Sequence, residues 1–201
     1  MKNWLAVIAM GAVAGFAASA VADNDHDHGR GKQRVFRAKL VGLNEVPSIS
    51  TKAQGEFYAV VNQAGTAFTY WLSYSGLEFD ASQSHIHVGQ HHTNGGISVW
   101  LCQGTVAAPA SVVAQVPECA VRATQMPITG TIDASDVIGP AGQGVTAAEF
   151  GELLAAMRAG AAYANVHSGV AGTTANPNAT PPVLGTPTIG FPSGEIRGQI
   201  D

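Results

Sequence analysis

Histidine alternates with branched apolar residues in the stretch Ser84-His85-Ile86-His87-Val88-Gly89. Successive side chains of a β-strand point to opposite faces, so a strand here places His85 and His87 on one face and Ile86 and Val88 on the other. Two imidazoles on one strand face can bind a metal ion, whereas the apolar face requires a core. The stretch therefore predicts a half-buried strand with possible metal chemistry on its polar face.

A second stretch, Tyr163-Ala164-Asn165-Val166-His167, has the same alternation. We predict that the two stretches are neighbouring strands, which brings His85, His87 and His167 together. Three imidazoles from adjacent strands suit copper or zinc. The further candidate ligands lie in a turn close to the first stretch: His91 and His92.

Hydrogen bonding is the alternative explanation of these histidines. On an outward sheet face they can bond to Asn165, Glu195 or backbone carbonyls without any metal. Glu195 and Arg197 are two residues apart on one strand and join this face as an ion pair or as polar partners. The predicted polar residues beside the histidines are Tyr163, Asn165, Glu195 and Arg197. No second acid or nucleophile has a spacing that indicates catalysis by Glu195.

The amino end has the three-part order of a secretory signal peptide: Lys2, an apolar run at residues 4–18, and the small-residue sequence Ala20-Val21-Ala22. A run of about fifteen residues is short for a membrane span, which needs roughly twenty. We predict a signal peptide at residues 1–22, a disordered polar tail at residues 23–33, and no permanent membrane anchor after cleavage. The predicted location is periplasmic or extracellular.

Two cysteines occur in the chain, Cys102 and Cys119. In an exported protein such a pair predicts a disulfide. A pair of metal-binding thiolates or a redox couple is the alternative, but the spacing matches neither a CxxC unit nor a zinc knuckle.

The charge pattern excludes several classes of partner. The net charge is −4, only 12% of residues are charged, and the sequence has no basic cluster. Such a chain lacks the electrostatic footprint of a protein that binds nucleic acid or anionic lipid. Glycine-rich phosphate loops and Gly-x-Ser-x-Gly elbows are also missing from the sequence.

Short alternating segments begin at Arg34 and recur along the chain. Residues 53–61 and 68–74 flank Asn62-Gln63-Ala64-Gly65 and predict a hairpin. We predict one domain at residues 34–201: an all-β, antiparallel β-sandwich (immunoglobulin-like or superoxide-dismutase-like) of about eight strands with one accessory helix. The segments at 34–41 and 194–200 are candidate edge strands that can pair with another molecule.

The accessory helix is predicted from a capping box at Thr146 and Glu149. Apolar residues follow at helical spacing, and Gly160 supplies a stop signal. The prediction is one helix of about fourteen residues.

Several of these motifs together resemble the CHRD domain, a domain of secreted bacterial and eukaryotic proteins named for its occurrence in chordin. The resemblance is carried, in order, by Leu40-Val41-Gly42-Leu43-Asn44-Glu45-Val46-Pro47, Tyr74-Ser75-Gly76-Leu77, Ser84-His85-Ile86-His87-Val88-Gly89, Tyr163-Ala164-Asn165-Val166-His167-Ser168 and Gly194-Glu195-Ile196-Arg197-Gly198-Gln199-Ile200. It implies a single-domain exported form. The segment with Cys102 and Cys119 is longer than the usual pattern of that family.

A weaker similarity runs to the β-sandwich of copper-zinc superoxide dismutase. The positions that match its copper ligands are His85, His87 and His167. The bridging histidine and the zinc-loop ligands of the dismutase have no counterpart in this sequence.

Two functions remain. The sequence favours a non-catalytic module that binds a protein or matrix partner through its loops and polar face. The alternative is a copper- or zinc-binding metalloprotein, either a metal carrier or a metal-dependent oxidoreductase of the dismutase kind, in which Arg197 steers an anion.

Overall fold

The structure, a computed structural model, describes residues 33–170 and 189–201. Within these ranges the chain forms eight β-strands and one α-helix. The strands are β1 (Val35–Val41), β2 (Gln54–Val61), β3 (Ala67–Ser75), β4 (Ala81–Val88), β5 (Gly96–Gln103), β6 (Ile128–Asp133), β7 (Ala162–Val170) and β8 (Ile189–Gln199), and the helix is α1 (Phe150–Arg158). The predicted signal peptide, and the predicted tail up to residue 32, lie outside the described residues.

All eight strands belong to one antiparallel sheet in the order β5-β4-β7-β8-β1-β2-β3-β6. The sheet curls until its two edges approach each other. Ile138, just after β6, donates a backbone hydrogen bond to Ser98 of β5 at 2.9 Å. Across the interior, the Tyr70 hydroxyl of β3 donates to the Leu101 carbonyl of β5 at 2.6 Å. The all-β prediction with eight strands and one helix is confirmed, and the sheet forms a nearly closed barrel where the sequence predicts a sandwich.

The edges of the sheet differ from the prediction. β1 and β8 were predicted as edge strands, and this is wrong, because they pair with each other in the middle of the sheet at Val41 and Arg197. Arg37 and Asp201 also exchange backbone hydrogen bonds, both at 2.9 Å. Alternation along a strand reports which face is buried and carries no information on the neighbouring strand.

Inward-facing side chains of every strand meet in one hydrophobic core. Its fully buried large members include Phe36, Leu40, Phe57, Phe68, Tyr70, Leu72, Ile86, Leu101 and Ile196. These apolar faces are what hold the barrel together, since burial of apolar surface is the main favourable term in folding.

Helix α1 packs its apolar stripe onto this core, with the Phe150 ring 5.8 Å from that of Phe68. It has nine residues and begins at Phe150, later than the predicted start at Thr146. Ala148 has a left-handed φ of 68°, which interrupts the first predicted turn. The Glu149 carboxylate still accepts from the Thr146 backbone N–H at 2.7 Å, so half of the predicted capping box forms. Gly160 follows the helix with a φ of 66°, as its stop signal predicts.

The predicted disulfide between Cys102 and Cys119 is present, with a Cα–Cα distance of 5.0 Å. Gln103 of β5 pairs with the returning segment, donating to the Pro117 carbonyl and accepting from the Cys119 N–H. Residues Ala108 and Val112 of the loop that the disulfide closes pack on Trp100. This loop therefore covers the outward side of β5. No helix in the described part of the chain has the length and apolar character needed to cross a membrane.

Candidate metal centre

The outward side of the β5-β4-β7-β8 half of the sheet carries the predicted polar residues. Cross-strand pairing places Trp100 opposite His85, His85 opposite Asn165, and Asn165 opposite Arg197. The predicted adjacency of β4 and β7 is confirmed. We call this surface the polar face and define it by Trp100, His85, His87, Tyr163, Asn165, His167 and Arg197. All seven are buried, although they point away from the barrel interior.

The three predicted ligands meet on this face. One ring nitrogen from each of His85, His87 and His167 lies within 4.8 Å of the other two. The closest pair is His85 Nδ1 and His167 Nε2, at 3.3 Å. The exposed fractions are 0%, 7% and 6%, so the cluster is shielded from bulk water.

Backbone carbonyls set the orientation of two of these rings. His87 Nδ1 lies 2.9 Å from the Gly95 carbonyl, and His167 Nδ1 lies 2.7 Å from the Pro192 carbonyl. A carbonyl only accepts hydrogen bonds, so each Nδ1 carries the proton and each Nε2 keeps a free lone pair. A ligating histidine in metalloproteins usually has this outer hydrogen bond.

Burial determines the charge of the cluster. Burial lowers the pKa of His167 to about 4, and it lowers the pKa of His87 as well. For His85, burial and the neighbouring imidazoles of His167 and His87 place the pKa well below its ordinary value. At neutral pH all three rings are uncharged, which is the form that binds metal.

Aromatic contacts hold the rings in place. His85 meets Trp100 edge to face, with ring centroids 4.3 Å apart, and His87 stacks on Tyr163 at 4.7 Å with the planes parallel to within 1°. The Arg197 guanidinium lies 3.3 Å from the Tyr163 ring centroid. Trp100 was missed by the sequence analysis. Alternation along β5 could have indicated its position. Trp100 lies between Val99 and Leu101, two core residues, so its side chain must point outward.

His91 and His92 are not brought to the cluster. Both are exposed in the turn after β4, with ring centroids 6.0 Å apart. They line a small crevice with Asn44, Arg197 and Gln199.

Glu195 and Arg197 do not pair with each other. The Glu195 carboxylate accepts from the Thr51 hydroxyl at 2.8 Å, the Glu78 backbone N–H at 3.0 Å and the Ser168 hydroxyl. Arg197 Nη2 instead donates to the Gln90 carbonyl at 3.0 Å. Glu195 thus fastens β8 to two loops, whereas Arg197 belongs to the polar face.

Glu45 is a second residue that the sequence analysis missed as a site candidate. It lies between β1 and β2, it is 5% exposed, and its Oε1 has no hydrogen-bond partner within the described part of the chain. Burial raises the pKa of Glu45 to about 7, against the opposing effects of Arg197, the Val46 backbone and Asn165. The sequence feature that could have drawn attention to Glu45 is a single acidic residue within the turn sequence Asn44-Glu45-Val46-Pro47.

The sequence matches the CHRD domain family over residues 36–173, more than half of the 201-residue chain. The chain belongs to the CHRD domain family. The matched part of the CHRD domain includes His85, His87 and His167. No curated protein and no solved structure matches the chain. The likeness to copper-zinc superoxide dismutase is therefore one of residue pattern, carried by the three histidines.

Proposed function

We propose that this CHRD domain binds one copper or zinc ion through His85, His87 and His167. The observation that carries the proposal is the convergence of three buried, uncharged imidazoles with ring nitrogens within 4.8 Å of one another. Two of them already have the outer hydrogen bond that leaves Nε2 free for a metal.

Hydrogen bonding alone accounts for the cluster less well. If His85 Nδ1 donates to His167 Nε2, the Nε2 atoms of His85 and His87 remain buried without a partner. Buried polar atoms are nearly always paired, because an unpaired one loses its hydration without compensation. A metal ion bound by the three rings removes much of this deficit.

The donor set favours copper, with zinc second. The cluster contains imidazoles alone, a set that suits either ion, and Cu(II) binds such sites more tightly than Zn(II). Both cysteines are in the disulfide and supply no thiolate. Three protein ligands leave a coordination position open, as in catalytic zinc sites. The domain can thus serve as a metal carrier or, with copper, as a one-electron oxidoreductase.

Membership of the CHRD domain family supports a binding role at most. The partner-binding module that the sequence favours therefore stays a hypothesis, and the histidine geometry now supports the metalloprotein better. Export is likewise a proposal. It is supported by the signal-peptide pattern of residues 1–22 and by the disulfide, a bond typical of oxidising compartments.

Metal analysis by inductively coupled plasma mass spectrometry tests the proposal. Purified protein is stripped of metal, exposed to Cu(II) or Zn(II), and desalted. We expect near-stoichiometric metal in the wild type and in the control His91→Ala/His92→Ala, and none in His87→Ala. His87→Gln, with near-ultraviolet circular dichroism as a folding check, guards against misfolding of the alanine variant. A wild type that retains neither ion refutes the proposal.

A further inference from the structure

Among the described residues, three more atoms of buried side chains near the histidines lack a hydrogen-bond partner, in addition to Trp100 Nε1. These atoms are Glu45 Oε1, Asn165 Oδ1 and Arg197 Nη1. Their residues are 5%, 2% and 2% exposed. One such atom is a tolerable defect, but three together beside the histidines indicate a site shaped for a ligand.

Asn165 connects this group to the proposed metal centre. Asn165 pairs across strands with His85, and its amide lies next to the Glu45 carboxyl group beside Gly194. Gly194 leaves room for this arrangement. A Cβ at Gly194 would collide with the Glu45 carboxyl group and the Asn165 amide.

Arg197 is a buried cation that pairs with no carboxylate of the described residues. It contacts the Gln90 carbonyl and the Tyr163 ring, and in residues 33–170 and 189–201 no carboxylate forms an ion pair with it. Glu45 attracts the guanidinium electrostatically but does not reach it. Burying a charge without a counter-charge is costly, so this position favours a small anion.

A surface crevice has Glu45 in its wall. It has a volume of about 120 Å³, and its walls include Glu45, Val46, Pro47, Phe191, Pro192 and Gly194. The carbonyl of Pro192 is the group that orients His167. The crevice therefore shares Pro192 with the surroundings of His167 and has room for a few non-hydrogen atoms.

We propose that Arg197 and Glu45 bind a small anion that enters through this crevice and occupies the open coordination position of the metal. Arg197 Nη1 donates one hydrogen bond to the anion, and protonated Glu45 donates another. Asn165 holds Glu45 in place, and an anion with a hydroxyl group would also satisfy Asn165 Oδ1. The metal contact rests on the proposed function, whereas the Arg197 contact does not require it.

Azide titration of the copper-loaded protein is the first test, because azide bound to Cu(II) gives a charge-transfer band. Arg197→Gln should weaken azide binding at least about tenfold, the usual effect of removing a charge-assisted hydrogen bond. Arg197→Lys keeps the charge, so its azide affinity should lie between those of the wild type and Arg197→Gln. The control is Arg122→Gln, an exposed arginine paired with Asp80, and it should match the wild type.

Glu45 supplies an independent arm of the test. The titratable and charged groups that face it are Arg197 from β8 and Tyr163 from β7, and burial raises the pKa of Tyr163, so Tyr163 stays protonated. Above about pH 7 the Glu45 carboxylate repels the anion, so wild-type azide affinity should fall about tenfold for each further pH unit. Glu45→Gln should bind azide about tenfold more tightly than the wild type at about pH 8. Hydroxide competition at copper acts on both proteins and cancels in the comparison.

The two proposals fail in different ways. Copper binding with equal azide affinity in wild type, Arg197→Gln and Glu45→Gln overturns the anion site and leaves the metal site standing. If the wild type binds no copper, azide is titrated into metal-free, ¹⁵N-labelled protein. A shift of the Arg197 Nε–H resonance then supports the anion site, and an unmoved resonance overturns it.

Discussion

The barrel has two outward surfaces that are built alike and buried differently. The second surface, which we call the aromatic face, is defined by the outward residues Arg37, Tyr58, Thr69, Trp71 and Thr131 of β1, β2, β3 and β6. There the Arg37 guanidinium lies 5.4 Å from the Tyr58 ring centroid, and Tyr58 lies 5.5 Å from Trp71. The polar face repeats this arginine-on-tyrosine contact at Arg197 and Tyr163. Trp71 is 37% exposed, whereas Trp100 on the polar face is 6% exposed.

The difference supports the proposed site on the polar face. Polar and aromatic side chains that face water on one side of a sheet need no special explanation. On the polar face the same kinds of side chain are covered, and among the described residues six ring, carboxyl, amide and guanidinium atoms there or at Glu45 lack a hydrogen-bond partner. Such an arrangement costs stability, and proteins retain it at sites where a ligand or metal supplies the missing contacts.

The largest effect should come from removing a proposed ligand. His167→Ala should weaken copper binding at least about 100-fold, because loss of an outer-shell partner alone costs up to that factor. Thr131→Ala, on the aromatic face, should leave the affinity unchanged. Competition titration against a chelator of known affinity measures both. Equal losses in the two variants would mean that the faces do not differ in function.

Tryptophan fluorescence sharpens the same comparison. Cu(II) at the histidines should quench Trp100, whose ring is 4.3 Å from His85, and leave Trp71 unaffected. Acrylamide should quench Trp71 more strongly than Trp100, because Trp71 is the more exposed of the two. In protein without residues 1–22, which contain Trp4, the variants Trp71→Phe and Trp100→Phe report the two signals separately. Copper quenching of Trp71 in the Trp100→Phe variant would contradict the proposed location of the ion.

Removing the disulfide should loosen the cover of the polar face. The bond joins residues separated by 17 positions, and the double variant Cys102→Ser/Cys119→Ser should lose roughly 3 kcal/mol of unfolding free energy by chain entropy. Urea denaturation measures this loss. Acrylamide access to Trp100 should rise in the variant, since the closed loop packs on it. Unchanged stability and unchanged access would show that the loop keeps its position without the bond.

Glu45 should make metal-free protein less stable at higher pH. Burial raises its pKa from 4.5 to about 7, so the stability it contributes is complete below pH 4.5 and is lost as the pH rises through 7. Relative to wild type, Glu45→Gln should gain about 2 kcal/mol of unfolding free energy between about pH 5 and pH 8. Glu56→Gln, on an exposed outward position of β2, should differ from wild type by less than about 0.5 kcal/mol. If the unfolding free energy of Glu45→Gln relative to wild type does not change with pH, the Glu45 carboxyl is exposed to water and the prediction fails.

The smallest effect belongs to the aromatic face. Tyr58→Ala removes one cross-strand aromatic pair and one arginine contact, and it should cost about 1 kcal/mol of unfolding free energy. Copper affinity should not change. Urea denaturation and the chelator competition check the two statements, and a loss of copper affinity would indicate that the faces are coupled.

Much of the fold was predictable because it depends on local alternation. The strand segments, the hairpin at residues 62–65 and the shared face of His85 and His87 follow from a side-chain period of two. The helix was placed correctly but about five residues too long, because the left-handed φ of Ala148 has no signal in an alanine. The pairing of β1 with β8 was missed because it joins the two ends of the domain. The alternation within each strand does not indicate which distant strand is its neighbour.

The sequence by itself determined the all-β class, the cysteine pair and the spacing that puts three histidines on like faces of two strands. Only the tertiary structure decided that β1 and β8 lie side by side, that loops cover the outward polar face, and that Glu45 and Trp100 lie close to the histidines. The physical reason is that alternation specifies which way a side chain points, whereas burial, charge state and unpaired atoms depend on what the rest of the chain packs above it.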